Sequence, residues 1–197
     1  MGSHEHHHSE KATEVLKQEH RVIERVLEVV GRLADSSGEP SIGQWKKAVE
    51  FIRGFADQCH HLKEEKLLFP AMEKHGIPNE GGPIGMMLAE HEEGRGYVRA
   101  MADALASASH NPEGAKKILL SNAKAYLRLL REHIRKEDEV LFVMTDDVMT
   151  PEEQRQLARE FEAHEEKEMG PGVHEKFLKL VEELESPSSH GTTAVAG

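Results

Sequence analysis

The chain of 197 residues is long enough for one domain with a sizeable core, and its formal net charge of −11 argues against nucleic-acid and acidic-lipid partners. It contains no apolar run near the roughly 20 residues that span a bilayer, so we expect no membrane partner. The single cysteine, Cys59, excludes an internal disulfide framework and favours a cytoplasmic localisation.

Apolar residues recur every three or four positions and strand-like alternation is nearly absent, so the sequence predicts an all-α fold. We expect a disordered, His-rich tail over 1–10, a domain over 11–185 and a second disordered tail over 186–197. Pro70 is expected to bend or end the second helix. The predicted helices cover, in chain order, about 9–34, 41–75, 85–109, 112–145, 151–169 and 172–185. The first four predict an up-down-up-down four-helix bundle over about 11–146, followed by additional C-terminal helices over about 150–185.

Two polar phrases repeat along the four bundle helices. Glu-His occurs at 19–20 in the first helix and at 90–91 in the third. His-x-x-x-Glu occurs at His60–Glu64 in the second helix and at His133–Glu137 in the fourth. The chain therefore reads as two related helical hairpins.

The face of each helix decides which of these residues point inward. Residues four apart share a face, so His60 lies in line with Ile52 and Ala56 on an apolar stripe. His61 instead lies in line with Arg53 and Asp57, and we expect His61 and Glu65 to form a solvated pair. The same reasoning on each helix places six polar side chains on the apolar seams: His20, His60, Glu64, His91, His133 and Glu137.

A shared metal centre is the simplest way to satisfy six buried polar groups. An unpaired buried carboxylate costs several kcal/mol and a lone buried polar group about 1–3 kcal/mol. Facing helices that contribute inward His and Glu side chains are known to hold two metals in a bundle. We therefore predict that His60→Ala and Glu64→Ala lose metal, while His61→Ala and Glu65→Ala retain it.

Several other residues receive simpler interpretations. Cys59 is expected to be a small buried hydrophobe, and His174 a packing or capping residue. His164 is expected to lie in solvent rather than supply a fifth histidine ligand, because charged residues surround it. Gly94 and Gly96, about one turn after His91, indicate either close helix packing or a small-molecule pocket.

The pattern of His20, His60-x-x-x-Glu64, His91 and His133-x-x-x-Glu137 resembles hemerythrin-like proteins of the His-His-Glu (HHE) cation-binding class. The stretches "HHLKEEKLLFPAME", "LAEHEEGRGYV" and "EHIRKEDEVLF" carry the resemblance, which covers about residues 12–145. It implies a four-helix bundle around a non-haem di-iron centre, with two iron ions joined by an oxo or hydroxo bridge. It further implies His20, His60, His91 and His133 as terminal ligands and Glu64 and Glu137 as bridging ligands.

Two departures from the oxygen-carrying hemerythrins bear on function. Those carriers have a histidine four residues after the third-helix ligand, where this chain has Arg95, and they end in His-x-x-x-x-Asp. The pattern is closer to the bacterial proteins linked to nitric oxide, peroxide or iron handling.

Two classes of function stay open at the level of sequence. The first is a redox-active di-iron protein that binds a small diatomic or peroxide ligand, such as a catalase-like or NO-reactive oxidoreductase. The second is a non-catalytic iron store, iron donor or oxygen or redox sensor. Residue spacing does not separate turnover from stoichiometric binding, and it defines no protein partner.

Overall fold

The computed structural model describes residues 10–36 and 41–186. Within these ranges the chain forms six helices and no strand, which confirms the predicted all-α bundle with additional C-terminal helices. The predicted tails lie outside the described residues, except at Glu10 and Ser186. None of the helices in these ranges is long and apolar enough to cross a membrane.

The helices begin and end within three residues of their predicted positions. The bundle helices are α1 (Ala12–Asp35), α2 (42–74), α3 (Pro83–Ser107) and α4 (112–148), and the C-terminal helices are α5 (Pro151–Met169) and α6 (Val173–Glu185). Near Pro70, where the sequence predicts a bend or a local end, α2 changes from π-helical to α-helical geometry and continues to Lys74. Pro70 falls in the first turn of the α-helical segment Phe69–Lys74, where a missing N–H costs least.

Local sequence signals set the helix starts. Ser41 accepts a hydrogen bond from the N–H of Gln44, and Asn111 accepts one from the N–H of Gly114. Thr150 and Glu153 form a reciprocal capping box at the start of α5. Between α5 and α6, Gly170 and Gly172 both have a positive φ, which glycine adopts without strain.

Parts of α2 and α4 are π-helical rather than α-helical. The π-helical stretches are Ile52–His61 and Glu64–Leu68 in α2, and Glu137–Leu141 in α4. In the two shorter stretches the N–H of Phe69 pairs with the carbonyl of Glu64, and that of Phe142 with Glu137, five residues back. Both begin at the glutamate of a His-x-x-x-Glu phrase, so the two halves of the chain share this backbone conformation as well as the sequence phrase.

The π turns change which side chains face the core. Each one takes one residue more than an α turn, so the residues that follow are rotated relative to a regular helix. Leu68 is buried where the regular spacing predicts Leu67, which is only half-buried. Likewise Leu141 is buried while Val140 is exposed.

The polar residues form one layer between two apolar clusters. On α1, Leu16 belongs to one cluster and Ile23 to the other, with His20 between them. On α2, Ala56 and Leu68 stand on either side of the polar layer in the same way. Each bundle helix packs against the next and α4 packs back against α1, which brings the four polar segments to the same level.

The C-terminal helices cover one edge of this layer. α5 packs against α1 and the π-helical stretch Glu64–Leu68, and α6 packs against α1 and the first half of α2. A Cβ atom at Gly54 would lie 2.1 Å from Cζ of Phe177, so Phe177 of α6 packs directly on the backbone of α2. The edge formed by α1 and α2 is therefore covered, whereas α3 and α4 lie on the other side of the bundle.

Candidate metal centre

The structure brings the six predicted ligand residues together in the polar layer. Each is at most 1% exposed. The ligand atoms of His20, His60, Glu64 and Glu137 all lie within 4.8 Å of one another, and so do those of His61, Glu64, His91 and His133. Glu64 thus belongs to both groups.

Each of the four predicted histidine ligands is held by a carboxylate from the neighbouring helix. The contacts run around the bundle: a histidine of α2 donates to a carboxylate of α1, one of α3 to α2, one of α4 to α3, and one of α1 to α4. They join Nδ1 of His60 to Glu19 at 2.9 Å, His91 to Glu65 at 2.8 Å, His133 to Glu90 at 2.8 Å, and His20 to Asp138 at 2.7 Å. A carboxylate at Nδ1 favours the Nδ1–H tautomer and turns Nε2 inward, where Nε2 of His91 lies 3.0 Å from Nε2 of His133.

The inner nitrogens converge on the two buried glutamates. The two oxygens of Glu64 lie 3.5 Å from Nε2 of His60 and 3.5 Å from Nε2 of His91. The two oxygens of Glu137 lie 3.2 Å from Nε2 of His20 and 3.2 Å from Nε2 of His133. Each carboxylate therefore places one oxygen on the His20 and His60 side and one on the His91 and His133 side.

Several of these buried atoms make no hydrogen bond. In the described part of the chain the unpartnered atoms include Nε2 of His20 and of His60 and all four oxygens of Glu64 and Glu137. Unpartnered buried polar atoms cost about 1–3 kcal/mol each, so such a set is unfavourable on its own. Imidazole nitrogens and carboxylate oxygens facing one another are the donors that iron and similar cations take. The residues present therefore fit a metal pair.

A basic side chain completes each histidine–carboxylate pair. Asp138 pairs with Arg21, Glu19 with Lys63, Glu65 with Arg95, and Glu90 with Lys136. Each cation comes from the same helix as the histidine that its carboxylate holds. We call these four sets the histidine–carboxylate–cation units; the sequence analysis missed them.

Burial and neighbouring charges shift the pKa values of the inner groups. Burial lowers the pKa of His60 to about 4 and that of His91 to about 3, so both are neutral, as metal-binding imidazoles are. Burial, with the adjacent Glu137, raises the pKa of Glu64. The pKa of Glu137 is lowered despite burial, chiefly by the charge of His133. The two carboxylates repel each other, and a cation between them would relieve that repulsion.

Comparison with known proteins identifies the family. The model of the hemerythrin HHE cation binding domain matches residues 11–145, which is more than half of the chain. The chain belongs to the hemerythrin family. The resemblance seen in the sequence is confirmed, and the protein is a cation-binding, hemerythrin-like helical bundle.

Its relatives include proteins of Mycobacterium and Neisseria. Uncharacterized proteins of Mycobacterium bovis and Mycobacterium tuberculosis are 28% identical to it over 180 residues, covering 88% of this chain and 69% of each relative. The iron-sulfur cluster repair protein DnrN of Neisseria gonorrhoeae is 36% identical over 93 residues, covering 45% of this chain and 57% of that protein. No solved structure gives a significant match.

The prediction that His61 and Glu65 form a solvated pair is wrong in this hemerythrin-like bundle. His61 is 5% exposed, because the π-helical stretch Ile52–His61 turns both His60 and His61 inward. Glu65 is half-buried and accepts hydrogen bonds from His91 and Arg95. Glu65 is therefore a support for His91, and its replacement is expected to weaken metal binding rather than leave it unchanged.

His61 lies beside the predicted ligands but is oriented differently from them. Its ring stacks on that of His91, with centroids 3.9 Å apart and planes 13° apart. An imidazole nitrogen binds a metal in the plane of its ring, so two rings stacked face to face do not direct nitrogens at the same ion. We therefore assign His61 a place next to the centre rather than in the ligand set, although its nitrogen is close enough to be grouped with them.

Three further residues differ from, or add to, their predicted roles. His164 is half-buried rather than in solvent, and it lies outside the three groups of potential ligands found in the described residues. His174 contacts the Phe55 ring and pairs with Glu165 at 3.2 Å. Cys59 is buried as expected, yet it is also hydrogen-bonded, accepting from Lys63 at 3.3 Å and donating to Glu165 at 3.2 Å.

A cavity of about 200 Å³ adjoins the His91 and His133 side of the centre. Its walls include His61, Gly94 and Tyr126, together with both of those histidines. A Cβ atom at Gly94 would lie 3.6 Å from Cε2 of Tyr126, whereas one at Gly96 would meet nothing within 4 Å. Gly94 lines the cavity and Gly96 does not, so the pocket interpretation applies to Gly94 alone.

Proposed function

We propose that this protein holds two iron ions, joined by an oxo or hydroxo bridge, and that it binds and reacts with O₂, NO or peroxide. His20 and His60 would bind one iron and His91 and His133 the other, with Glu64 and Glu137 bridging both. The four histidine–carboxylate–cation units carry the proposal, because they fix four Nε2 atoms inward around two carboxylates. A bound iron pair would supply redox chemistry and open coordination positions.

The chain's own residues would select and position the small ligand. The cavity beside His91 and His133 gives a ligand access to that side, while Phe142 stacks on His20 at 5.4 Å and covers the other. His61 borders the cavity, and its Nδ1 lies 3.6 Å from Oδ1 of Asp57 without a hydrogen bond to any described residue. His61 would therefore donate a hydrogen bond to the incoming ligand instead of coordinating the iron.

We expect His61→Ala to retain both irons but to bind azide, used as a stable probe ligand, more weakly. Loss of one hydrogen bond predicts a drop in affinity of roughly two- to tenfold. Iron content and an azide titration of the visible absorption bands would measure both effects. His164→Ala is the control and is expected to leave iron content, bands and azide affinity unchanged. Loss of iron in His61→Ala would instead make His61 a fifth histidine ligand.

Access through the cavity can be tested with two glycines on the same helix. We expect Gly94→Leu to slow azide binding by about tenfold or more, because a leucine side chain would project into the cavity against Tyr126. Gly96→Leu makes the same change two residues away in open space and is expected to bind azide at the wild-type rate. Equal rates in the two variants, measured by stopped-flow absorbance with both fully iron-loaded, would show that ligands enter elsewhere.

The function is tested by metal analysis and turnover of protein freed of its His-rich tail and purified without affinity metals. The proposal predicts two irons per chain, visible absorption from the bridged pair, and repeated consumption of H₂O₂ or NO. One metal ion or none per chain would contradict the di-iron centre. A reducing compartment, the cytoplasm, suits both this chemistry and the unpaired Cys59.

A second function is favoured by one comparison. The similarity to an iron-sulfur cluster repair protein over 93 residues makes this protein a candidate iron donor without turnover. In that case the reduced protein would release iron to an apo iron-sulfur protein, and peroxide would be consumed only once per iron pair. Multiple turnovers without iron loss would favour the redox function instead.

A further inference from the structure

One of the four histidine–carboxylate–cation units differs from the others in its burial. The Lys63 side chain is 2% exposed, whereas the side chains of Arg95, Lys136 and Arg21 are 20%, 28% and 55% exposed. Lys63 and Lys136 occupy equivalent positions in the repeat, each three residues after a histidine ligand. The two halves of the centre are therefore alike in sequence but unlike in their surroundings.

The difference comes from the C-terminal helices, which lie beyond the part of the chain matched by the family. Glu165 of α5 forms an ion pair with Lys63 and accepts a hydrogen bond from Cys59. His174 of α6 pairs in turn with Glu165 at 3.2 Å. Within the described residues Lys136 forms an ion pair with Glu90 of α3, so its unit is built from bundle helices.

The contacts link the C-terminal helices to one metal ligand in three steps. Glu165 holds Lys63, Lys63 holds Glu19, and Glu19 accepts a hydrogen bond from Nδ1 of His60. A cavity of about 460 Å³ lies between these helices and the bundle and is bordered by Glu19, Lys63, Glu165 and His174. At this corner the helices therefore reach the centre through charged side chains.

The group formed by Glu19, Cys59, Glu165 and His174 could by itself be taken for a third metal site, since its ligand atoms lie within 4.8 Å of one another. The Lys63 ammonium lies among them, bonded to Glu19, Glu165 and Cys59. A cation fixed to the chain already neutralises this group. These four side chains and Lys63 therefore form a buried network of ion pairs and hydrogen bonds, not a third metal site.

We propose that Lys63 is a positioning residue that lets the C-terminal helices control the iron bound by His20 and His60. The inference rests on the proposed di-iron centre. Lys63, anchored by Glu165, holds the Glu19 carboxylate directed at Nδ1 of His60, so that Nε2 of His60 stays aimed at the metal. The iron on the His91 and His133 side lacks this connection, and the two irons are held with different strength.

The test compares equivalent lysines in the full-length, iron-loaded protein. Release of reduced iron to a ferrous chelator is followed in wild type, Lys63→Met and Lys136→Met. We expect Lys63→Met to release one of its two irons about 10–100-fold faster than wild type, as loss of an outer-shell partner does. Lys136→Met should speed iron release by a smaller factor than Lys63→Met, because its half-buried ion pair with Glu90 is partly screened by solvent.

Two further variants keep the proposal testable if Lys63→Met fails to fold. Glu165→Gln, compared with the exposed neighbour Glu166→Gln, should speed release of the same single iron by several-fold, and Lys63→Arg should restore slow release. Mössbauer spectra should change for one iron only, which a general loss of stability would not produce. Equal release from Lys63→Met and Lys136→Met, or wild-type behaviour of Glu165→Gln, would overturn the inference. Wild type without an iron pair would instead remove the proposed function.

Discussion

Glu64→Gln is expected to reduce the iron content from two ions per chain to less than one. Glu64 directs one oxygen to each side of the centre, so losing its charge removes a ligand from both irons at once. Breaking a buried charge partnership typically costs about 3–5 kcal/mol, equivalent to more than a hundredfold in affinity. Iron analysis after gel filtration, together with the loss of the visible bands, would measure the effect.

The variant is expected to fold, because glutamine has nearly the size and polarity of a protonated glutamate. Burial and Glu137 already raise the pKa of Glu64, so a neutral side chain at this position relieves repulsion in the iron-free protein. Glu93→Gln is the matched control and should keep two irons, because Glu93 lies on the exposed face of α3 and accepts a hydrogen bond from Tyr97. A Glu64→Gln protein that still holds two irons per chain would mean that Glu64 does not bridge the iron pair.

Removal of iron is expected to lower the melting temperature of the wild type by about 5–10 °C. A metal that binds only the folded state stabilises it by about 2.7 kcal/mol at a hundredfold excess over its dissociation constant. For a chain of this size that free energy corresponds to roughly 2–4 °C per kcal/mol. The iron-free protein also keeps buried atoms of His20, His60, Glu64 and Glu137 without hydrogen-bond partners.

Differential scanning calorimetry of iron-loaded and iron-free protein would test this expectation. Glu64→Gln serves as the internal control, since a protein that does not bind iron should melt at the same temperature with and without added Fe²⁺. Coincident melting curves for the two wild-type forms would place the iron at the surface rather than in the polar layer.

The helix bounds and the six inward-facing residues could be predicted because they depend on patterns along single helices. Apolar spacing placed His20 on the stripe through Leu16 and Ile23 of α1, and His60 and Glu64 on the stripe through Ile52 of α2. The position of His61 could not be predicted in this way. The reasoning assumed 3.6 residues per turn, and the π-helical stretch Ile52–His61 breaks that assumption.

The supports around the histidines required contacts between helices, which periodicity does not report. A signal was nevertheless present, because the acidic residues that hold the histidines stand beside the predicted ligands in all four phrases. Glu19 and Glu90 precede His20 and His91, and Glu65 and Asp138 follow Glu64 and Glu137. If these acidic residues are interpreted as hydrogen-bond partners of histidines on the adjacent helix, and not as solvated neighbours, the sequence predicts all four histidine–carboxylate pairs.

Each of the two hairpins contributes a glutamate to the histidines of the other, so metal binding at the centre depends on the docking of the hairpins. His20 and His60 come from the first hairpin, but Glu137, near both, comes from the second; Glu64 of the first hairpin reaches His91 of the second in the same way. Neither hairpin alone contains the complete set of predicted ligands. Each hairpin could therefore be helical without binding a metal ion. A nascent chain would therefore acquire firm metal binding only after its halves have docked, and retention of the proposed iron pair would mark the molecules that have finished folding.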